Sequence, residues 1–187
     1  MTPGQPSLDD LVRLANAGPD RAVVLIDGGA GSGKTTLGHQ LSDSWRGPVQ
    51  LVSLDDVYPG WSGLAGGSDA VHASILRARR PGYRRWDWAL SARAEWVPLE
   101  PDRALIIEGC GALTPRSSAL ATLRIWCDLD ADTRRDRAVA RDGETLARHW
   151  DDWAAQEAEH WSRHRPWELA DLRLTVGSGT GQQQPTR

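Results

Sequence analysis

From Val23 to Leu37 the chain reads Val-Val-Leu-Ile-Asp-Gly-Gly-Ala-Gly-Ser-Gly-Lys-Thr-Thr-Leu. Gly28, four further residues and then Gly33-Lys34-Thr35 have the spacing of a phosphate-binding loop, in the required setting of an apolar run before and a helix-compatible run after. Glycines adopt positive φ and carry no Cβ, so the backbone N–H groups from Gly28 through Gly29, Ala30, Gly31 and Ser32 to Gly33 can turn inward around an anion. The helix that follows points its positive end at the same place. The Lys34 ammonium suits β- and γ-phosphates, and the Thr35 hydroxyl suits Mg²⁺, a hard cation that takes oxygen ligands. Gly28 to Thr36 is the expected nucleotide-binding segment.

Three further groups could act beside it. Asp55 and Asp56 directly follow an apolar run, and a carboxylate there could orient an acceptor hydroxyl and take its proton, or simply cap a loop. Leu105-Ile106-Ile107-Glu108-Gly109 is a buried-strand pattern ending in an acid, able either to reach Mg²⁺ or a water bound to it, or to bond backbone amides. Arg134, Arg137 and Arg141 recur at i, i+3 and i+7 and share a helix face, suited to a lid over a transferring phosphoryl group or to a solvated, salt-bridged surface. Trp150, Trp153, Glu157, His160, Trp161 and His164 follow on a long helical pattern. Glu157 and His160 lack the second pair a metal site needs, so this stretch is expected to pack.

These residues need a frame. Short continuous apolar runs at 22–26, 49–53, 104–107, 123–127 and 172–176 predict five strands covered on both faces. Helical patterns span 8–17, opened by a Ser7/Asp10 capping box, then 34–45, 68–80, part of 114–121, 131–141 and 145–163. Strands alternating with helices predict an α/β fold: a parallel, doubly wound five-stranded sheet with helices on both faces and a ligand site beyond the carboxyl ends of the strands. The Gly-rich stretch from Asp55 to about Gly67 is expected to be a loop at that edge. Residues 177–187, with Gly-Ser-Gly-Thr-Gly and three Gln, are expected to be a disordered tail.

Composition narrows the partners. A length of 187 residues fits one domain, assigned here to 1–176, that needs no disulfide or structural metal. Net charge −3, from 22 basic and 25 acidic side chains, carries no general nucleic-acid footprint, so a small-molecule acceptor is expected. Cys110 and Cys127 sit in or beside apolar segments and read as buried thiols of a reducing cytosol. No apolar run approaches a membrane span, and the first residues lack a signal-peptide pattern, so a soluble cytoplasmic protein is expected, with homo-oligomerisation left open. Ten Trp and no Phe supply large apolar faces for a core or for stacking on a flat ring.

Taken in order, the phosphate loop, the Asp55-Asp56-Val57-Tyr58 turn, Glu108-Gly109 and the Asp132-x-Arg134 helix resemble the uridine kinase and phosphoribulokinase family of P-loop kinases over about residues 22–176. The resemblance extends to Ala170-Asp171-Leu172. It implies a P-loop NTPase fold with a small Arg-rich lid, use of ATP and Mg²⁺, and Asp55 rather than Asp56 as general base. Ala138 stands where the family's lid carries an Arg. Pro81-Gly82-Tyr83-Arg84-Arg85-Trp86-Asp87-Trp88 replaces the family's Pro-x-Tyr-Asp segment and its following His. The expected roles are phosphate and metal binding by Lys34, Thr35 and Glu108, and phosphoryl stabilisation by Arg134, Arg137 and Arg141. The acceptor pocket is expected from Asp55, Tyr58, Trp61, Tyr83, Arg85, Trp86, Trp88 and Glu108. The expected activity is phosphorylation of a hydroxyl, with a uridine-like nucleoside as first acceptor. The alternatives are a nucleoside-monophosphate, shikimate or gluconate type kinase, in which Arg79, Arg80, Arg84 and Arg85 would meet an anionic acceptor, or a nucleotide-binding regulatory ATPase.

Overall fold

The computed structural model describes residues 4–18 and 21–177. Its strands are β1 (Val23–Gly28), β2 (Val49–Ser53), β3 (Gly82–Asp87), β4 (Ala92–Pro98), β5 (Ala104–Glu108), β6 (Leu123–Cys127) and β7 (Leu172–Leu174). Five of them form one parallel sheet in the order β2-β5-β1-β6-β7. β1 is central and buried throughout, which is why its sequence shows no polar alternation. All five expected strands are present. β1 and β5 run further than their apolar runs, to Gly28 and Glu108, because the parallel ladder continues through Ile26 opposite Glu108 and Gly28 opposite Cys127. β7 stops two residues short of its run.

Helices cover both faces. On one, Leu11 and Ala15 of α1 (Leu8–Ala15) and Leu37 and Leu41 of α2 (Lys34–Asp43) pack on Val24, Ile26, Ile106 and Ile125. Ser7 closes the expected capping box with Asp10. On the other, Leu64 of α3 (Leu64–Ala70), Val71 and Ile75 of the π-helical turn that continues it, and a distant Trp153 pack on Leu25 and Ile107. The helix expected over 68–80 therefore starts four residues early. It ends at Ile75, because the chain must extend into β3. The short α4 (Pro115–Ser118) and α6 (Pro166–Leu169) flank β6 and the long α5 (Ala131–His164).

α5 is two helices in one. Gly143 breaks it at φ 66°, ψ −151°, close to where the sequence pattern pauses between Arg141 and Thr145. Nothing lies within 4 Å of a Cβ built there, so the glycine answers to backbone conformation alone. β3 and β4 form a separate antiparallel ribbon with a bulge between Arg84 and Trp86. That ribbon is absent from the sequence-based expectation, because the bulge spoils the period-two pattern. Most of the tail, from residue 178, lies outside the described residues. Among those described, no helix is long and apolar enough to cross a membrane, and Cys110 and Cys127 are buried and free.

The β5 carboxyl end supplies a test. Gly109 has φ 151°, and a Cβ there would collide with the Leu54 side chain. Gly109→Ala is expected to cost about 1–3 kcal/mol and to lower Tm by roughly 5 °C in a thermal melt. An unchanged Tm would show that this turn yields without strain.

Candidate active site

The phosphate loop joins β1 to α2. Gly31 and Gly33 sit at φ 80° and 94°, the left-handed region that favours glycine. Lys34 is buried and its Nζ donates to the Gly29 carbonyl at 2.9 Å. Burial opposes its charge, but the carboxylates of Glu108, Glu157 and Asp27 around it outweigh that, and the ammonium is held more firmly than usual. Asp27, fully buried at the end of β1, accepts N–H bonds from Gly28 (2.6 Å), Gly111 (3.0 Å) and Leu113 (2.8 Å). Burial still pushes its carboxyl up to about 6. This one carboxylate ties the phosphate loop to the turn after β5.

Glu108 ends β5 with its partners already in register: Ser53 of β2 and Ile26 of β1 lie beside it. Its Oε2 accepts from the Thr35 hydroxyl at 3.2 Å, while Oε1 is buried with no partner among the described residues. Burial raises its pKa against the pull of Lys34. An orphaned carboxylate oxygen beside a threonine hydroxyl is a donor set suited to a hard divalent cation. Asp55 sits in the 3₁₀ turn after β2, where the Ser53 hydroxyl accepts its N–H. It remains accessible because it faces an open cavity, yet enough protein surrounds it for burial to raise its pKa, with Lys34 and Arg141 opposing and Asp142 and Asp56 assisting.

That cavity, about 630 Å³, brings together Ala30, Gly31 and Gly33 to Thr36 of the loop, then Asp55, Glu108, Arg141, Asp142 and Thr145. Its remaining wall is aromatic and apolar: Tyr58, Trp61, Trp88, Leu146 and Trp153, with Cys110. Asp55 lines it and Asp56 does not. Several expected site residues lie elsewhere. Tyr83 is buried in the core, Arg85 pairs with Glu95 at 3.0 Å across the ribbon, and the Trp86 ring lies against Gly60. Arg137 donates to the Val176 carbonyl at 2.9 Å. Gly28, Gly29 and Ser32 shape the loop from behind rather than line the cavity.

Arg134 corrects the picture of a lid face with three free guanidiniums. It is 8 % exposed and lies behind the loop, its Nη1 donating to the Ala30 carbonyl and to Glu157 Oε2, both at 3.2 Å. Glu157, 2 % exposed, returns the grip from the far half of α5. Its Oε1 accepts from Ala30 N at 2.6 Å, Trp153 Nε1 at 3.1 Å and the Cys110 thiol at 3.2 Å. The Ala30 peptide is thus held on both its N–H and its carbonyl by one buried ion pair. The Arg134 guanidinium also lies 5.3 Å from the Trp161 ring centroid.

The chain is 31% identical over 158 residues to a uridine kinase of Bacillus mycoides (strain KBAB4), covering 72% of this chain and 73% of that one. A uridine kinase of Bacillus cereus (strain AH820) is 30% identical over 146 residues, 67% and 69% of the two chains. This chain belongs to the uridine kinase family. Two solved structures share its fold. A possible uridine kinase from Bacillus stearothermophilus matches at TM-score 0.61 and 19% identity, over 89% of this chain and 96% of that one. A putative fructose transport system kinase from Silicibacter sp. TM1040 matches at 0.55 and 22%, over 91% and 100%. No family model matches the chain.

As a uridine kinase family member, the chain is a kinase with a P-loop kinase fold. Asp27 and Glu157 were missed as site residues. Asp27 left a trace, an acid inside an apolar run, whereas Glu157 read as one acid on a packing helix. Replacing Glu157 by Ala would strand the buried Arg134 charge, and breaking such a pair costs about 3–5 kcal/mol. Glu157→Ala should therefore melt lower by roughly 10 °C. Arg134→Met with Glu157→Ala should be less damaging than the sum of the single changes, and strict additivity in that cycle would show the pair to be uncoupled.

The buried Asp27 gives a pH dependence. Its folded-state pKa, about 6, exceeds the ordinary 3.8, so the folded protein holds that proton more tightly. The stability it contributes is full below 3.8 and is lost as pH rises through about 6. Asp27→Asn should remove this slope from denaturant-derived stability curves between pH 4 and 6. A slope unchanged in that variant would assign it to another group.

Proposed function

We propose that this chain transfers the γ-phosphoryl group of ATP, with Mg²⁺, to a hydroxyl of a small molecule. The observation that supports this is a single cavity in which a phosphate-loop lysine, an orphaned carboxylate oxygen beside Thr35 and an accessible carboxylate at Asp55 share the walls. When bound, ATP supplies the phosphoryl group and Mg²⁺ neutralises charge on it. Gly31 and Gly33 to Thr36 would cradle the phosphates, with Lys34 at the β- and γ-groups, and Thr35 and Glu108 would hold the metal. Asp55 orients the acceptor hydroxyl and takes its proton. A carboxylate with a raised pKa is the better base near neutral pH, provided it stays ionised.

Of the three lid arginines only Arg141 lines the cavity, so the charge-stabilising role falls to it. Arg134 shapes the loop and Arg137 braces the segment after β7. Uridine, which the relatives' name carries, is the first acceptor to assay. The alternative of an anionic acceptor draws no support, since none of Arg79, Arg80, Arg84 and Arg85 lines the cavity. A regulatory ATPase would hydrolyse ATP without responding to any alcohol.

Lys34→Ala should lose ATP binding and turnover together, because that charge acts in ground and transition states alike. Asp55→Asn should keep nucleotide affinity while turnover falls by roughly two to four decades. In the wild type, kcat should drop as pH falls through the Asp55 pKa, on an acid limb above the ordinary aspartate 3.8. Full activity of Asp55→Asn would remove this residue from the chemistry. ATP turnover indifferent to every alcohol tried would replace the kinase with the regulatory reading.

A further inference from the structure

Behind the phosphate loop lies a second cavity, about 440 Å³, that shares no lining residue with the first. It sits where β6 ends, between the first turns of α5, at Ala131 and Arg134, and the far end of α5 with α6. Three indoles build its wall. Trp161 and Trp167 stand at 80° and 70° to Trp126, each 5.8 Å from it between centroids. Trp126 is 7 % exposed, and none of the three indole N–H groups has a hydrogen-bond partner among the described residues. The wall thus offers ring faces in more than one direction and three donors that the protein leaves free.

Two opposite charges line the same cavity without pairing with each other. The Asp128 carboxylate, just past β6, makes no hydrogen bond or ion pair among the described residues. Arg173 lies opposite Trp126 in the parallel β6–β7 ladder, which puts the two side chains on one face of the sheet. Its Nε donates to the Trp167 carbonyl at 3.1 Å, and both of its Nη groups are left without a partner there. Indole faces stack on any base, whereas edge groups choose among bases. A guanidinium donates two bonds to guanine O6 and N7, and a carboxylate accepts two from guanine N1–H and its exocyclic amine. Adenine and the pyrimidines lack one or both of those pairs.

We propose that this cavity is a second ligand site, which takes a guanine base among Trp126, Trp161 and Trp167 and reads its edges with Arg173 and Asp128. Rigid aromatic walls give contact area at little ordering cost. The site stands apart from the phosphoryl-transfer reading, but its position links it to the loop. Gly29 and Arg134 line it, while Lys34 Nζ donates to the Gly29 carbonyl and Arg134 Nη1 to the Ala30 carbonyl. A base packed against Gly29 and Arg134 steadies the loop from behind before an anion arrives in front. Base and anion therefore tighten each other, and by the same factor.

The test titrates the full chain by calorimetry with guanosine, inosine and adenosine, then with Mg²⁺ and inorganic tripolyphosphate, an anion for the phosphate loop that carries no base. Guanosine should bind saturably and about tenfold tighter than inosine, which lacks the amine that faces Asp128. Asp128→Ala should erase that preference, and Arg173→Ala should weaken guanosine about tenfold with Tm unchanged, since both side chains are exposed. Trp61→Ala, in the other cavity, should leave guanosine binding as it is. Bound guanosine should tighten tripolyphosphate about fivefold. Equal affinity for the three nucleosides, or no saturable binding, would overturn the guanine site. Guanosine binding lost in Trp61→Ala and intact in Arg173→Ala would overturn it too, by moving the base to the first cavity. Equal tripolyphosphate affinity with and without guanosine would overturn the link to the loop.

Discussion

The buried Arg134–Glu157 pair is the interaction on which the site depends. Two charges removed from water need more than each other to be tolerated, since their desolvation is repaid only when every remaining donor and lone pair finds a partner. Here the partners are the two polar atoms of Ala30, an indole N–H, a thiol and an aromatic ring. The pair explains part of the glycine content of the phosphate loop. A Cβ at Gly29 would run into the Arg134 guanidinium, and one at Gly31 into the Arg134 backbone. Glycine is required there by the protein behind the loop as well as by an anion in front of it.

The clamp needs both halves of α5 against one loop, and a straight helix cannot deliver that. Arg134 and Glu157 are 23 residues apart, which on an unbroken α-helix is roughly 35 Å, yet their side chains meet at 3.2 Å. Gly143 makes the difference by letting the chain turn back. The same turn carries Arg141, Asp142, Thr145 and Leu146 to the cavity, and Ala138, Leu146 and Trp150 close over Ala30 and Trp61. The loop clamp and the share of the cavity wall that α5 supplies are consequences of one break in one helix.

What the sequence disclosed follows from how local each feature is. The phosphate loop is encoded in consecutive residues, and buried parallel strands announce themselves as unbroken apolar runs, so both were legible. Glu108 was legible as the acid that ends a buried strand, and the parallel ladder sets it beside the loop, opposite Ile26 and Ser53. The arginine face was legible as a face but not as a direction. Spacing at i, i+3 and i+7 states that Arg134, Arg137 and Arg141 share a side of a helix, and nothing in it reveals that the helix starts behind the loop and reaches the cavity only near its break. Tyr83 and Trp86 misled for a related reason: aromatics close in sequence on a bulged ribbon were dispersed to the core and to a loop. Glu157 was illegible because three of its partners, Ala30, Cys110 and Arg134, come from distant parts of the chain.

Arg141 is held by its own neighbour, Asp142, in a two-bond pair, while Asp55 and Glu108 add to the field that favours its charge. On the proposed reading, a transferring phosphoryl group must draw this guanidinium away from a carboxylate already in ideal geometry. Both partners are exposed at the cavity mouth, so the existing pair is screened and weak, whereas the same guanidinium facing a phosphoryl group under a closed lid would act with water excluded. On that reading the exchange is favoured where a bound nucleotide and acceptor have excluded water from the cavity. Asp142 would restrain the arginine in the open cavity, where hydrolysis by water is the competing reaction, and release it once an acceptor has displaced that water.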